Sequence, residues 1–130
     1  MRLTHARFTA TAGAVIFDDT GRVLLLKHRF RPGAGWGLPG GFLRAGEQPE
    51  AALRRELLEE IGLELDRVEL FKVRVFTRPR QIEVVFRCHA RGGGSPRSLE
   101  VSEMRWFACD ELPPQLPNDQ RRLVNAAAAK

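Results

Sequence analysis

Three glutamates, Glu56, Glu59 and Glu60, stand at i, i+3 and i+4 in the run Arg55-Glu56-Leu57-Leu58-Glu59-Glu60. In a helix this spacing stacks three carboxylates on one face. Like charges so placed destabilise a helix unless something offsets them. A hard divalent cation does so, because Mg²⁺ seeks carboxylate oxygens and keeps several waters that a phosphate substrate can displace. The chemistry this pattern points to is water attack on a phosphorus centre whose charge the cation neutralises.

A helix must carry these residues, and the flanking sequence specifies one. Pro49 suits the first helical position, where its missing N–H is no loss, and Glu50 adds favourable charge to the first turn. Leu53, Leu57 and Ile61 recur at intervals of four and supply an apolar stripe. Gly62 stands where a left-handed C-terminal cap belongs, with Leu63 folding back on the last turn. Gln48 is a poor N-cap compared with Ser or Thr. The acidic face thus belongs to a helix that is anchored on its opposite side.

The stretch 41–63 as a whole resembles a known signature. Gly41, Glu47 and the run Arg55-Glu56-Leu57-Leu58-Glu59-Glu60-Ile61-Gly62-Leu63, at these separations, look like the complete Nudix box, with no departure at its fixed positions. The resemblance implies an α/β fold, the Nudix α/β/α sandwich with a mixed sheet between helices. It implies metal binding by Glu59 and Glu60, and metal binding, base catalysis or both by Glu56. The backbone carbonyl of Gly40 resembles a further ligand of the family. Another carboxylate, from the loop before the last strand, is expected at Glu100 in preference to Glu103. The implied cofactor is Mg²⁺, with Mn²⁺ as an alternative, and the implied partner is a small nucleotide.

Other candidates rest on the residues themselves. Arg55 is expected to orient Glu56 or to pair with Glu47, and it joins Glu56, Glu59 and Glu60 as a catalytic candidate. Arg29 and Arg31, before the box, and Arg78 and Arg80, in a later turn, are candidates for gripping phosphates in bidentate fashion. His28 and His89 are isolated and read as structural or exposed. Phe30 or Trp36 offers a ring for stacking on a base.

Composition sets the outer bounds. A chain of 130 residues, 43% hydrophobic and 28% charged, is expected to form one globular domain over 1–130. The net charge of +5, with arginine abundant and acids gathered in the box, implies a basic surface that attracts polyanions around an acidic centre. No long Lys/Arg run argues for a specific nucleic-acid partner. Cys88 and Cys109 form neither a disulfide framework nor a zinc spacing. No apolar run approaches a membrane span and no signal-like segment opens the chain, so a cytoplasmic location without a membrane partner is expected.

The chain then reads in order. Residues 8–17 form a strand, Asp18-Asp19-Thr20-Gly21 a turn, and 23–26 a second strand, together a hairpin. Residues 36–42 are extended and glycine-rich. After the box, 68–77 and 81–90 are strands about a turn at Arg78-Pro79-Arg80, the second with Ile82, Val84, Phe86 and Cys88 on one face. Residues 91–98 form a flexible loop and 104–108 a last strand with Trp106 and Phe107 on opposite sides. A terminal helix is expected at 118–128. The exposed strand edges leave room for a homodimer.

The expected function is metal-dependent hydrolysis of a pyrophosphate bond in a nucleoside diphosphate linked to another group. Pro79, sixteen residues beyond Leu63, resembles the spacing of the ADP-ribose pyrophosphatase subgroup, so ADP-ribose or a nucleotide sugar leads. Compact length resembles instead the MutT-type enzymes that cleave a nucleoside triphosphate, oxidised or not, and this is the alternative. A third reading, a non-catalytic nucleotide-binding module, is disfavoured because all the box carboxylates remain.

Overall fold

Val15 and Ala14, side by side on the first strand, belong to two separate apolar cores, and that division organises the molecule. A computed structural model of the chain describes residues 5–30 and 35–130. The elements follow in the order β1 (Thr9–Phe17), β2 (Val23–His28), β3 (Trp36–Gly37), β4 (Gly40–Phe42), α1 (Pro49–Ile61), β5 (Arg67–Thr77), β6 (Arg80–His89), β7 (Val101–Phe107) and α2 (Asn118–Ala128). The sheet runs β3-β2-β1-β6-β5, with β4 added to β1 and β7 to β2. β1 and β6 run parallel and the other pairs antiparallel, so the sheet is mixed. Helix α1 packs Leu53, Leu57 and Ile61 against Ala12, Ala14 and Ile16 on one face. Helix α2 packs Leu123, Val124 and Ala127 against Val15, Phe17 and Val85 on the other. This is the expected α/β/α arrangement.

The β1–β2 hairpin is present only at its closed end. The two strands are in register at Phe17↔Val23 and then part, β1 taking β4 and β6 as neighbours while β2 takes β3 and β7. The extended stretch 36–42 is accordingly two short strands, one on each side of the split, with Leu38 and Pro39 crossing between them. Pro39 has no N–H to give, but its carbonyl accepts from the Ala14 amide at 3.1 Å. A cleft opens where the sheet separates.

Helix α1 begins and ends where its punctuation dictates. Pro49 opens it, and Gln48 makes no side-chain cap bond. Gly62 closes it at φ 65°, with Leu63 donating back to the Leu57 carbonyl at 3.3 Å. Leu57 is fully buried, and truncation to Ala would cost about 2–5 kcal/mol. The last strand starts three residues earlier than the apolar pattern indicates, because Val101 pairs with His28 beyond a register shift in β2. Trp106 and Phe107 do lie on opposite sides, in different cores. Cys88 is a buried core residue, and burial pushes its thiol up to about 12.

Candidate active site

The glycines come first, because they let everything else approach. A Cβ on Gly40, whose φ is 158°, would collide with the Ala12 carbonyl across the β1–β4 pair. A Cβ on Gly41 would stand 2.5 Å from Cδ and 2.7 Å from Oε1 of Glu56. Only two adjacent glycines let β4 lie against β1 and against the glutamate of α1 at once.

Glu56 is then fixed from its other side. Arg55 donates from Nη1 to Glu56 Oε1 at 3.0 Å. The same guanidinium grips Glu47 through Nε to Oε2 at 2.8 Å and Nη2 to Oε1 at 2.9 Å, and it reaches the Phe42 carbonyl at 3.2 Å. Arg55 thus contacts both of its expected partners, Glu56 and Glu47. The Arg55 hydrogen bond, followed by the Arg44 amide, draws the Glu47 carboxyl down to about 2, while the pair raises Arg55 above its ordinary range.

The three helix glutamates have different surroundings. Glu60 is buried, with 6% exposure, and Glu56 is 18% exposed at its side chain. Both line a cavity of about 470 Å³ at the split in the sheet. Glu59 is 50% exposed and sits at the rim, paired with Arg44 at 3.4 Å and Arg55 at 3.3 Å. The i, i+3, i+4 stack thus resolves into two cavity carboxylates and one rim carboxylate, because Ile61 and Leu57 rotate the helix so that Glu60 turns inward.

The loop carboxylates separate as clearly. Glu100 lines the cavity with Glu56, Glu60 and Gly40. Glu103 lies on β7 and pairs with Arg105 at 2.8 Å. Among the described residues no group of three or more His, Cys, Asp or Glu side chains is drawn together around a metal position. The donor set suits an open site instead: oxygen donors from α1 and the 100-loop on one cavity, with room for the waters and phosphate oxygens that a hard cation retains.

Of the arginines expected to grip phosphate, Arg29, Arg78 and Arg80 do not line the cavity. Arg29 is exposed and bonds to the 100-loop, through Nε to the Leu99 carbonyl at 2.9 Å. Arg78 and Arg80 are exposed in the β5–β6 turn, outside the cavity wall. Arg31 falls outside the described residues. His89 is not isolated, since its ring nitrogens meet Asp66 at 2.9 Å and Asp19 at 2.7 Å, away from the cavity. His28 lines the cavity.

The far wall of the cavity was not anticipated from the sequence. Gln81 and Glu83 from β6 and Gln120 from α2 form it. Arg74 binds Glu83 Oε1 from Nε at 2.7 Å and from Nη2 at 2.6 Å, and its Nη1 reaches Asp119 at 3.0 Å, tying β5 and β6 to the start of α2. Gln120 accepts the Leu38 amide at 2.8 Å. A signal for Gln120 did exist: it precedes Leu123 and Val124 by three and four residues, on the inward stripe of α2.

This architecture and site can be compared with known proteins. A family model described as the NUDIX domain matches residues 7–127. The chain is 35% identical to a MutT-like protein of Streptomyces ambofaciens, across 79% of this chain and 65% of that protein. It is 32% identical to an RNA pyrophosphohydrolase of Caulobacter vibrioides, across 98% of this chain and 87% of that one. The crystal structure of the MutT NUDIX hydrolase from Burkholderia pseudomallei superposes with a TM-score of 0.80 at 33% identity, covering 92% of this chain and 98% of that one. The chain spans less than two thirds of several relatives it matches, 37% of an NAD-capped RNA hydrolase of Vibrio vulnificus and 31% of one of Pseudomonas aeruginosa.

Proposed function

The chain belongs to the NUDIX family, and from that premise we propose that it is a divalent-metal-dependent pyrophosphohydrolase that cleaves a nucleoside triphosphate to the monophosphate and pyrophosphate. The observation that carries this reading is the convergence of Glu56, Glu60, Glu100 and Gly40 on one cavity. The compact chain also aligns over nearly its whole length with a MutT NUDIX hydrolase. Pro79, whose spacing favoured ADP-ribose, lies in an exposed turn and does not line the cavity, and ADP-ribose or a nucleotide sugar stands as the second reading.

Glu56, Glu60, Glu100 and the Gly40 carbonyl would hold the metal, with Glu59 contributing from the rim. A bound Mg²⁺ or Mn²⁺ supplies charge neutralisation at the phosphate oxygens and lowers the pKa of an attacking water. Glu56, whose Oε1 accepts from Arg55, would be the carboxylate placed to accept a proton from an attacking water. Arg55 positions this carboxylate, and Glu47 positions Arg55. The wall of Glu83, Gln81 and Gln120 receives the nucleoside end.

The test is product analysis with purified protein and Mg²⁺ across canonical and oxidised deoxynucleoside triphosphates, ADP-ribose, nucleotide sugars and a 5′-triphosphate RNA oligonucleotide. Monophosphate and pyrophosphate from free triphosphates support the proposal. Turnover confined to ADP-ribose, nucleotide sugars or RNA moves the substrate class, and turnover of none removes the activity.

A further inference from the structure

Resting on the metal-dependent reading above, we propose that Arg29 and Arg97 are positioning residues that clamp the 100-loop from two sides and so hold Glu100 over the cavity. The loop needs such a device. It begins with three consecutive glycines at positive φ, Gly92, Gly93 and Gly94, and it leaves Leu99 82% exposed. A chain of that composition does not by itself hold a carboxylate within the fraction of an ångström that a metal ligand requires.

One side of the clamp is the C-terminus of α1. The Ser95 amide donates to the Ile61 carbonyl at 2.9 Å, and the Arg97 amide donates to the Glu60 carbonyl at 2.7 Å. The backbone that carries the buried cavity glutamate is thus bonded to the loop that carries the exposed one. The Arg97 guanidinium lies over Gly62, where a Cβ would come within 2.5 Å of its Nε and Nη2. Helix α1 has no basic residue in its last turn. Arg97 supplies a cation there from outside the helix, against the negative end of its dipole. Gly62 therefore does two things, closing the helix in the left-handed conformation and leaving room for this side chain.

The other side of the clamp is the end of β2. The Arg29 amide donates to the Glu100 carbonyl at 2.8 Å, and its Nε donates to the Leu99 carbonyl at 2.9 Å. Two bonds from one residue to consecutive carbonyls fix the direction of the chain at Glu100. The loop is held on both flanks of the split in the sheet, by α1 and by β2.

The experiment is a double-mutant cycle read by Mn²⁺ binding to the protein without substrate, using electron paramagnetic resonance and calorimetry. E100Q, R29A, R97A and the two double variants are compared, with hydrogen exchange of the amides of residues 95 and 97–100 as a second readout. E100Q is expected to weaken Mn²⁺ binding. R29A, which loses the Nε bond to the Leu99 carbonyl, is expected to weaken it by about three- to tenfold, the scale of one lost hydrogen bond; R97A keeps its amide bond to Glu60, removes only the guanidinium over Gly62, and is expected to weaken it less, by about two- to threefold. In the E100Q background they should add little, because they act through that carboxylate. Exchange of the loop amides should quicken in R29A and R97A alike. E100Q weakening binding while R29A and R97A leave both readouts unchanged would overturn the clamp alone. An equal loss in the E100Q background would also overturn it, since the arginines would then act elsewhere. E100Q leaving Mn²⁺ binding unchanged would overturn the assignment of Glu100 and the clamp together.

Discussion

Arg55 and Glu47, eight residues apart, form a two-pronged ion pair in which Nε and Nη2 each meet a separate carboxylate oxygen, at 2.8 and 2.9 Å. The pair folds the loop after β4 onto α1 and leaves Nη1 directed at Glu56. It therefore has both a stability signature and a catalytic one. Glu47 titrates near 2 in the folded state against 4.5 when unperturbed, so its contribution is present above about pH 4.5 and is lost as pH falls through 2. Glu47→Gln should be less stable than wild type by a constant amount above pH 5, and the difference should close as pH approaches 2. Chemical denaturation across that range checks it, and a difference independent of pH would show that the pair is not the cause.

The two glycines of β4 should fail differently. Gly41→Ala places a methyl against the Glu56 carboxylate, which Arg55 restrains, so the fold should persist while kcat falls at least about tenfold. Gly40→Ala meets backbone at Ala12 and should instead lower the thermal midpoint. Circular dichroism melts beside steady-state kinetics separate the two.

The glutamates of α1 should rank by position. Glu56→Gln and Glu60→Gln remove carboxylates from the cavity and should lower kcat by about a thousandfold or more. Glu59→Gln, at the rim and paired with two arginines, should cost about tenfold. Parallel kinetics on the three variants test this order directly. Equal losses would mean that Glu59 enters the cavity when substrate and metal bind.

The arginines of the β5–β6 hairpin should divide as well. Arg74→Ala frees Glu83 and Asp119 from a shared partner and should raise KM several-fold with little change in kcat. Arg78→Ala and Arg80→Ala should leave both constants within about twofold, since neither lines the cavity.

The parts of the site legible in the sequence were those set by local spacing. Pro49 and Gly62 bound a helix because one needs no N–H and the other tolerates a left-handed backbone, and both requirements are local. The Glu47–Arg55 pair was legible for the same reason. The splitting of β1 from β2 was not, because it depends on which distant strands complete each edge. Glu83 shows only that it lies on the polar side of β6, and the parallel pairing of β6 with β1 is what carries it to the cavity. Arg29 has a positioning contact that its sequence context did not indicate. A basic residue near the box invites a phosphate role, yet its bonds go to two carbonyls of a loop 70 residues away.

The proposed hydrolysis depends on a divalent metal bound by the carboxylates of this cavity. The most direct measurement follows nucleoside triphosphate turnover and Mn²⁺ binding together in wild type, E56Q and E60Q, with and without a chelator. Metal binding and turnover are expected in wild type, loss of turnover with chelator, and weakened metal binding with loss of turnover in both variants. Metal-independent turnover, or turnover retained in E60Q at wild-type metal affinity, would contradict the proposed dependence.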